Sequence, residues 1–206
     1  MKKEAEPKEW PKTPAFQDED TRKMLDSTKE VQDGYYLYTS KTGGYSMLWP
    51  VDATKHSYEN QKNNYEMIIF GGSSEKENYV YEIRTSYDAF IPESLLDSYI
   101  SILSDSLQYS DEYIEIKDKS KTIYFGKKKE HFLSSEDNRR TFYYYFGLVR
   151  DINTNQGIRV IYTTRCFDPE NARKCSINES KEEERALMLM KSLKFNTVDI
   201  KDKKSE

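Results

Sequence analysis

The sequence has few of the residues that most often carry catalysis or bind metals. Its 206 residues include two histidines and two cysteines. A zinc site needs several closely spaced ligands, and a catalytic triad usually needs a histidine base beside a nucleophile. His56 and His131 stand far from each other, and neither has such a spacing with a cysteine. We therefore expect no catalytic residue, no metal and no cofactor, and we interpret both histidines as loop residues.

Two further features are missing: a long apolar run and a large excess of positive charge. No stretch reaches the roughly 18 apolar residues of a membrane-spanning helix. Lysine and arginine number 32 against 36 aspartates and glutamates, which gives a net charge of −4. A nucleic-acid-binding domain is usually basic, so we expect no nucleic-acid partner.

A local basic cluster is nevertheless present in the second half of the chain. It consists of Lys127, Lys128, Lys129, Arg139 and Arg140. If these side chains flank one loop, they form a patch that could contact an anionic membrane or wall polymer. The alternative is that they belong to an ordinary solvated face.

The two cysteines, Cys166 and Cys175, lie nine positions apart around an Asp-Pro turn signal. This spacing predicts a disulfide, with two free thiols as the alternative. A disulfide is typical of an oxidising compartment, which indicates an exported protein.

Composition divides the chain into three parts. Residues 1–33 are charged and contain three prolines, so they are predicted to be a polar tether, and the opening tract is typical of the sequence that follows a removed export signal. The alternative is a helix over residues 20–29 that docks on the domain. Residues 34–196 are predicted to form a single domain, and residues 197–206 a charged tail.

Within the domain, short runs rich in aromatic and β-branched residues predict antiparallel strands. The predicted strands cover residues 45–49, 65–70, 79–85, 113–116, 122–125, 141–150 and 158–167. The polar segment 151–157 predicts a hairpin between the last two strands. Gly71 to Ser74 lack the lysine of a phosphate loop and are predicted to form a hairpin turn.

The strand at 141–150 is apolar or aromatic at both alternating sets of positions, which predicts that both of its faces are covered. Two segments have helical spacing. One runs from Ile91 to Leu107, and the other begins at a predicted capping box, Ser180 and Glu183. The predicted fold class is therefore α+β, an antiparallel β-sheet flanked by helices on both faces.

Seventeen tyrosines are an unusual number for this length. Most fall inside predicted strands, where packing explains them. Tyr35, Tyr36 and Tyr38 precede the first predicted strand, and we interpret them as a candidate surface for a ligand or partner.

Residues 44–50, Gly-Tyr-Ser-Met-Leu-Trp-Pro, together with the closing helix that runs into residues 192–195, resemble the PsbP-like domain family. The resemblance covers about residues 35–196 and implies an antiparallel sheet between helices. It also implies kinship with exported, lipid-anchored accessory or binding proteins of Gram-positive bacteria. No functional residue carries over.

The functional prediction is an exported, non-enzymatic accessory or binding lipoprotein on the outer face of the cell membrane. Its partner would be an unknown protein or cell-envelope component, and an N-terminal lipid anchor would hold it at the membrane. Two alternatives are a small wall-directed hydrolase that uses paired carboxylates and a cytoplasmic chaperone-like regulator.

Overall fold

Two antiparallel sheets are the main elements of the computed structural model, which describes residues 9–135, 138–166 and 177–196. Within these residues the strands are β1 Tyr35–Thr39, β2 Tyr45–Pro50, β3 Thr54–Gln61, β4 Tyr65–Ser74, β5 Tyr79–Asp88, β6 Ile114–Lys117, β7 Lys121–Ser135, β8 Asn138–Asp151, β9 Gly157–Cys166 and β10 Lys194–Phe195. The helices are α1 Pro14–Gln17, α2 Glu19–Arg22, α3 Leu96–Leu107 and α4 Glu179–Ser192, and a 3₁₀ turn, Glu93–Leu95, precedes α3.

The larger sheet has the strand order β3-β4-β5-β9-β8-β7-β6, and the smaller sheet has the order β1-β2-β10. The two sheets pack face to face, and Trp49 on β2 stacks on Phe70 on β4 with ring centroids 4.1 Å apart. Most of the fully buried aromatic residues lie on the side of the large sheet that is turned toward the small sheet. They include Tyr81 and Tyr162, whose rings stack with centroids 5.7 Å apart. The tyrosine-rich composition thus mainly builds a core.

Helices cover both faces of the large sheet, as the sequence predicts. On the side of the small sheet, the Met190 sulfur of α4 lies 3.3 Å from the place where a Cβ on Gly147 of β8 would stand. On the opposite side, Leu96 of α3 packs with Ile91 against Leu148 of β8. The predicted α+β class, an antiparallel sheet with helices on both faces, is confirmed.

The cover on the α3 side is uneven, and here the structure corrects the expectation that β8 is dry along both faces. Residues 145–150 are buried, whereas residues 141–144 are only partly buried. The 12 residues of α3 span about 18 Å, whereas the 14 residues of β8 extend over roughly 45 Å. One end of this sheet face therefore stays open.

The N-terminal segment differs from the predicted tether. Ala15 and Phe16 of α1 are buried in the main core, and the Ala15 amide donates a hydrogen bond to the carbonyl of Val51. Thr21 of α2 accepts a 2.7 Å hydrogen bond from the backbone amide of Lys55 on β3. The tether assignment is wrong for these residues, because α1 and α2 supply apolar and polar partners to the domain. They are two short helices rather than the alternative helix over 20–29.

Two local predictions also need correction, and a third is confirmed. Gly71 to Ser74 continue β4 instead of turning, and the turn follows at residues 75–78, where Asn78 has a φ of 54°. Helix α4 begins at Glu179, and its N-cap is Asn178, whose side chain accepts from the Lys181 amide, so Ser180 is not the cap. The predicted hairpin between β8 and β9 is confirmed.

Candidate ligand-binding groove

The open end of the α3-side sheet face forms a groove of about 520 Å³. Strands β5, β8 and β9 form its floor, Ser106 and Leu107 at the end of α3 form one boundary, and His56 on β3 lies at the other side. This volume is within the range of small-molecule and cofactor sites in proteins.

Strand register determines which side chains reach the floor. Glu82 on β5 and Tyr144 on β8 both pair with Thr163 on the intervening strand β9. Arg84 pairs with Ile161, and Phe142 pairs with Arg165. Paired residues of antiparallel strands lie on the same face, so these side chains line one continuous surface.

Aromatic rings occupy the β8 side of the groove. The rings of Phe142 and Tyr144 lie nearly parallel, 15° apart in plane, with centroids separated by 6.2 Å. The Arg165 guanidinium lies 5.8 Å from the Phe142 centroid, a cation–π distance. Partial burial raises the pKa of the Tyr144 phenol, and nearby Glu130 adds to the rise, so this hydroxyl stays protonated at neutral pH and can donate a hydrogen bond.

The charged groups of the groove are poorly neutralised. Within the described part of the chain, neither Arg84 nor Arg165 forms an ion pair, and the hydrogen bond of the Arg165 guanidinium goes to the carbonyl of Cys166. Glu82 is the one carboxylate among the described lining residues, and it lies 3.7 Å from Nδ1 of His56. The groove thus offers two guanidinium groups to a ligand.

The structure does not assemble the predicted tyrosine surface. Tyr36 and Tyr38 point into the layer between the sheets and are 1% and 0% exposed. Tyr36 contacts Phe16, and Tyr38 contacts Trp49. Only Tyr35 lies on the other face of β1 and is half-buried, because side chains alternate along a strand. This part of the site prediction is wrong.

The predicted basic patch is also divided, because its lysines lie on a strand rather than a loop. Lys127 and Lys129 form ion pairs with Glu183 and Glu179 at the start of α4, at 2.9 and 2.8 Å. Lys128 points to the opposite face, where its ammonium donates to the Leu107 carbonyl at the end of α3.

The two arginines of that patch are separate from these lysines. Arg140 is exposed on β8 opposite Phe132, and the side chain of Arg139 lies outside the described residues. The lysines therefore hold two helices on two faces of the sheet, and no single anion-binding patch results.

The remaining candidate residues lie apart. Cys166 ends β9 and Cys175 lies outside the described residues, so the disulfide stays a prediction. His131 Nδ1 lies 2.9 Å from the Thr141 hydroxyl on the exposed β7–β8 hairpin. Among the described residues, no group of histidine, cysteine and carboxylate side chains could hold a metal ion.

Sequence reasoning missed the groove, although one signal was present. Strand β5 alternates buried Tyr81 and Ile83 with exposed Glu82 and Arg84, which indicates one solvent-accessible face.

We also find no helix long and apolar enough to span a bilayer in residues 9–135, 138–166 and 177–196.

Comparison with known proteins gives a consistent assignment. A family model described as "Putative lipoprotein YvcA" matches residues 11–194. The curated Bacillus subtilis (strain 168) protein of that name is 34% identical over 210 residues, which covers 98% of this chain and 84% of the relative.

Two solved structures are also similar. The crystal structure of the Saccharomyces cerevisiae Ran-binding protein Mog1p aligns with a TM-score of 0.47 and 9% identity, over 78% of this chain and 94% of that one. The structure of a point mutant of Mog1 aligns with a TM-score of 0.43 and 10% identity, over 78% of this chain and 95% of that one. By the extent of the family match and the identity to the B. subtilis protein, the chain belongs to the YvcA lipoprotein family.

Proposed function

We propose that this protein is a lipid-anchored protein on the outer face of the cell membrane, and that its domain binds a ligand in the groove without catalysing a reaction. The lipoprotein name of the family supports the anchor and the location. The observation that carries the binding role is the uncovered end of the large sheet, where aromatic side chains lie close to two arginines that have no ion-pair partner among the described residues. We also retain the finer relationship to PsbP-like domains as a proposal.

The chemistry of the groove supports binding over hydrolysis. Glycoside hydrolysis needs two carboxyl groups within about 5–10 Å, and the groove lining that the structure describes includes one carboxylate, Glu82. A serine nucleophile needs a base as its hydrogen-bond partner, but the Ser106 hydroxyl donates to the Leu103 carbonyl of its own helix at 2.8 Å. The wall-directed hydrolase is therefore the weaker candidate.

Membrane attachment can be tested in cells that express the complete gene. We expect incorporation of labelled palmitate into the protein and its digestion by protease added to intact protoplasts. A protein that takes up no label and survives protease until the protoplasts are lysed would contradict the proposed location and would favour a cytoplasmic role.

Ligand binding can be tested by hydroxyl-radical footprinting of the purified protein with and without solubilised envelope material. We expect oxidation of Phe142 and Tyr144 to fall at least threefold when ligand is present. Phe90, which is exposed outside the groove, is the control and should be oxidised equally in both samples. Equal oxidation of all three residues under both conditions would contradict binding in the groove.

A further inference from the structure

We propose that the groove binds an extended peptide segment that carries two acidic side chains four residues apart. This inference rests on the proposed binding function and adds the chemical class of the ligand. It depends on three features of the groove: two guanidinium groups without carboxylate partners, the distance between them, and a carboxylate that lies between them along the strands.

The first feature is the identity of the unpaired cations. The guanidinium group of arginine is planar and forms paired hydrogen bonds with carboxylates or phosphates. Arginine is therefore the preferred residue for recognising these groups. Arg84 and Arg165 have no carboxylate partner within the described residues. By contrast, Glu179 and Glu183 at the start of α4 and Glu130 on β7 each form an ion pair with a lysine. A ligand acid at each arginine would supply the missing counter-charges.

The second feature is the spacing. On the floor of the groove, Arg165 pairs with Val80, which is four residues from Arg84 along β5. Four residues of a strand span about 13 Å, and the step from β5 to β9 adds about 5 Å sideways. An extended peptide has the same rise, and its residues i and i+4 point to the same side. Acids four residues apart would thus reach both arginines at once.

The third feature decides between a peptide and an evenly charged polymer. Glu82 lies between Arg84 and Val80 along β5, in the middle of the groove, and it faces His56 at 3.7 Å. A polymer with a phosphate at every repeat would bring negative charge against Glu82. A peptide with neutral central residues avoids that repulsion and can accept hydrogen bonds from the hydroxyls of Thr163 and Tyr144.

The test uses a fluorescent heptapeptide, Ala-Glu-Thr-Ala-Thr-Glu-Ala, and the anisotropy change on adding the purified protein. Matched probes replace both glutamates by glutamine or place them at adjacent positions, and poly(glycerol phosphate) serves as a competitor. We expect the heptapeptide to bind at least tenfold more tightly than the glutamine probe, and more tightly than the adjacent-acid probe.

Variants then assign the binding to the groove. The variants Arg84→Gln and Arg165→Gln should each bind the heptapeptide at least tenfold more weakly than the wild-type protein does. Lys23→Gln removes the same charge from an exposed side chain at the C-terminal end of α2, outside the groove, and should change binding less than twofold. Glu82→Gln should increase the affinity for poly(glycerol phosphate) more than it increases the affinity for the heptapeptide. Melting temperatures of all variants verify folding.

Three results would overturn the inference. They are equal binding of the glutamate and glutamine probes, an equal loss in Lys23→Gln and the arginine variants, and tighter binding of poly(glycerol phosphate) than of the heptapeptide. If envelope material still protects Phe142 and Tyr144 from oxidation while the heptapeptide fails to bind, the proposed function stands and the peptide class is wrong. If both experiments fail, the groove is not a binding site.

Discussion

Glu66 on β4 accepts a 2.9 Å hydrogen bond from the phenol of Tyr38 on β1, and both residues are wholly buried. This contact joins the small sheet to the large one. The same carboxylate accepts from the hydroxyls of Ser40 and Tyr58 and from the backbone amide of Lys41. Four donors thus satisfy a buried charge without an ion pair from the described lysines and arginines.

Replacing this carboxylate should destabilise the protein strongly. Glu66→Gln exchanges one acceptor oxygen for an amide donor that faces hydroxyl and N–H groups, which leaves buried donors without acceptors. The expected loss is about 2–3 kcal/mol in the free energy of unfolding, measured by urea denaturation. Glu75→Gln, an exposed change in the β4–β5 turn, is the control and should stay within about 0.5 kcal/mol. A loss for Glu66→Gln no larger than that of the control would contradict the role of this network.

The docked N-terminal helices make a second prediction. Phe16 is 2% exposed and contacts Tyr36 with ring centroids 4.7 Å apart, so Phe16→Ala should leave a cavity in the core. The expected cost is about 3–4 kcal/mol of unfolding free energy. Phe90→Ala, at an exposed phenylalanine, should cost less than about 1 kcal/mol. If Phe16→Ala unfolds at the wild-type urea concentration, the segment is a tether after all.

Lys121 gives a third prediction, because its ammonium is buried and donates to the carbonyls of Lys191 and Leu193 at the end of α4, at 2.5 and 2.6 Å. Those carbonyls have few other donors at a helix end. Lys121→Met keeps the length of the side chain and removes the donor, so it should cost about 1–3 kcal/mol by thermal or urea unfolding. Lys119→Met, at an exposed neighbour, should cost much less. Equal stabilities of the two variants would show that Lys121 does not hold α4.

The buried tyrosines predict a loss of stability in alkali. Burial raises the pKa of Tyr87 to about 12, and it holds the pKa values of Tyr45 and Tyr81 well above 10.0. The unfolded chain ionises these phenols near pH 10 while the folded chain keeps them protonated. Each such phenol therefore contributes stability that is complete below pH 10 and is lost as pH rises toward the folded pKa, at about 1.4 kcal/mol per pH unit.

One group in the same pH range acts in the opposite direction. Burial lowers the pKa of Lys121, so its contribution rises with pH, but one lysine cannot offset several tyrosines. Urea unfolding between pH 9 and 12 should show a steep decline, and Tyr87→Phe should reduce its slope by about one proton. A stability that is flat or rising over this interval would contradict the prediction.

Local pattern alone was sufficient for much of the fold. Alternation and turn residues identified seven of the strands, the β8–β9 hairpin and both long helices, because these depend on neighbours in sequence. Strand β3 was missed because its residues are polar on an edge strand, and β1 was interpreted as a surface because its tyrosines looked exposed without their partners.

The groove depended on tertiary structure. The sequence shows that β8 is apolar on both faces, and this pattern is consistent with helices that cover the whole strand. Helix α3, however, is shorter than the strand it covers, so its position decides which end of the sheet face remains open. That position follows from the packing of Ile91 and Leu96 against Leu148, which is distant from both in sequence. That Arg84 and Arg165 have no carboxylate partner within residues 9–135, 138–166 and 177–196 likewise follows from which of these residues the folded chain brings near them. The sequence by itself determined seven of the strands and both long helices, whereas only long-range packing decided where a ligand can reach the sheet.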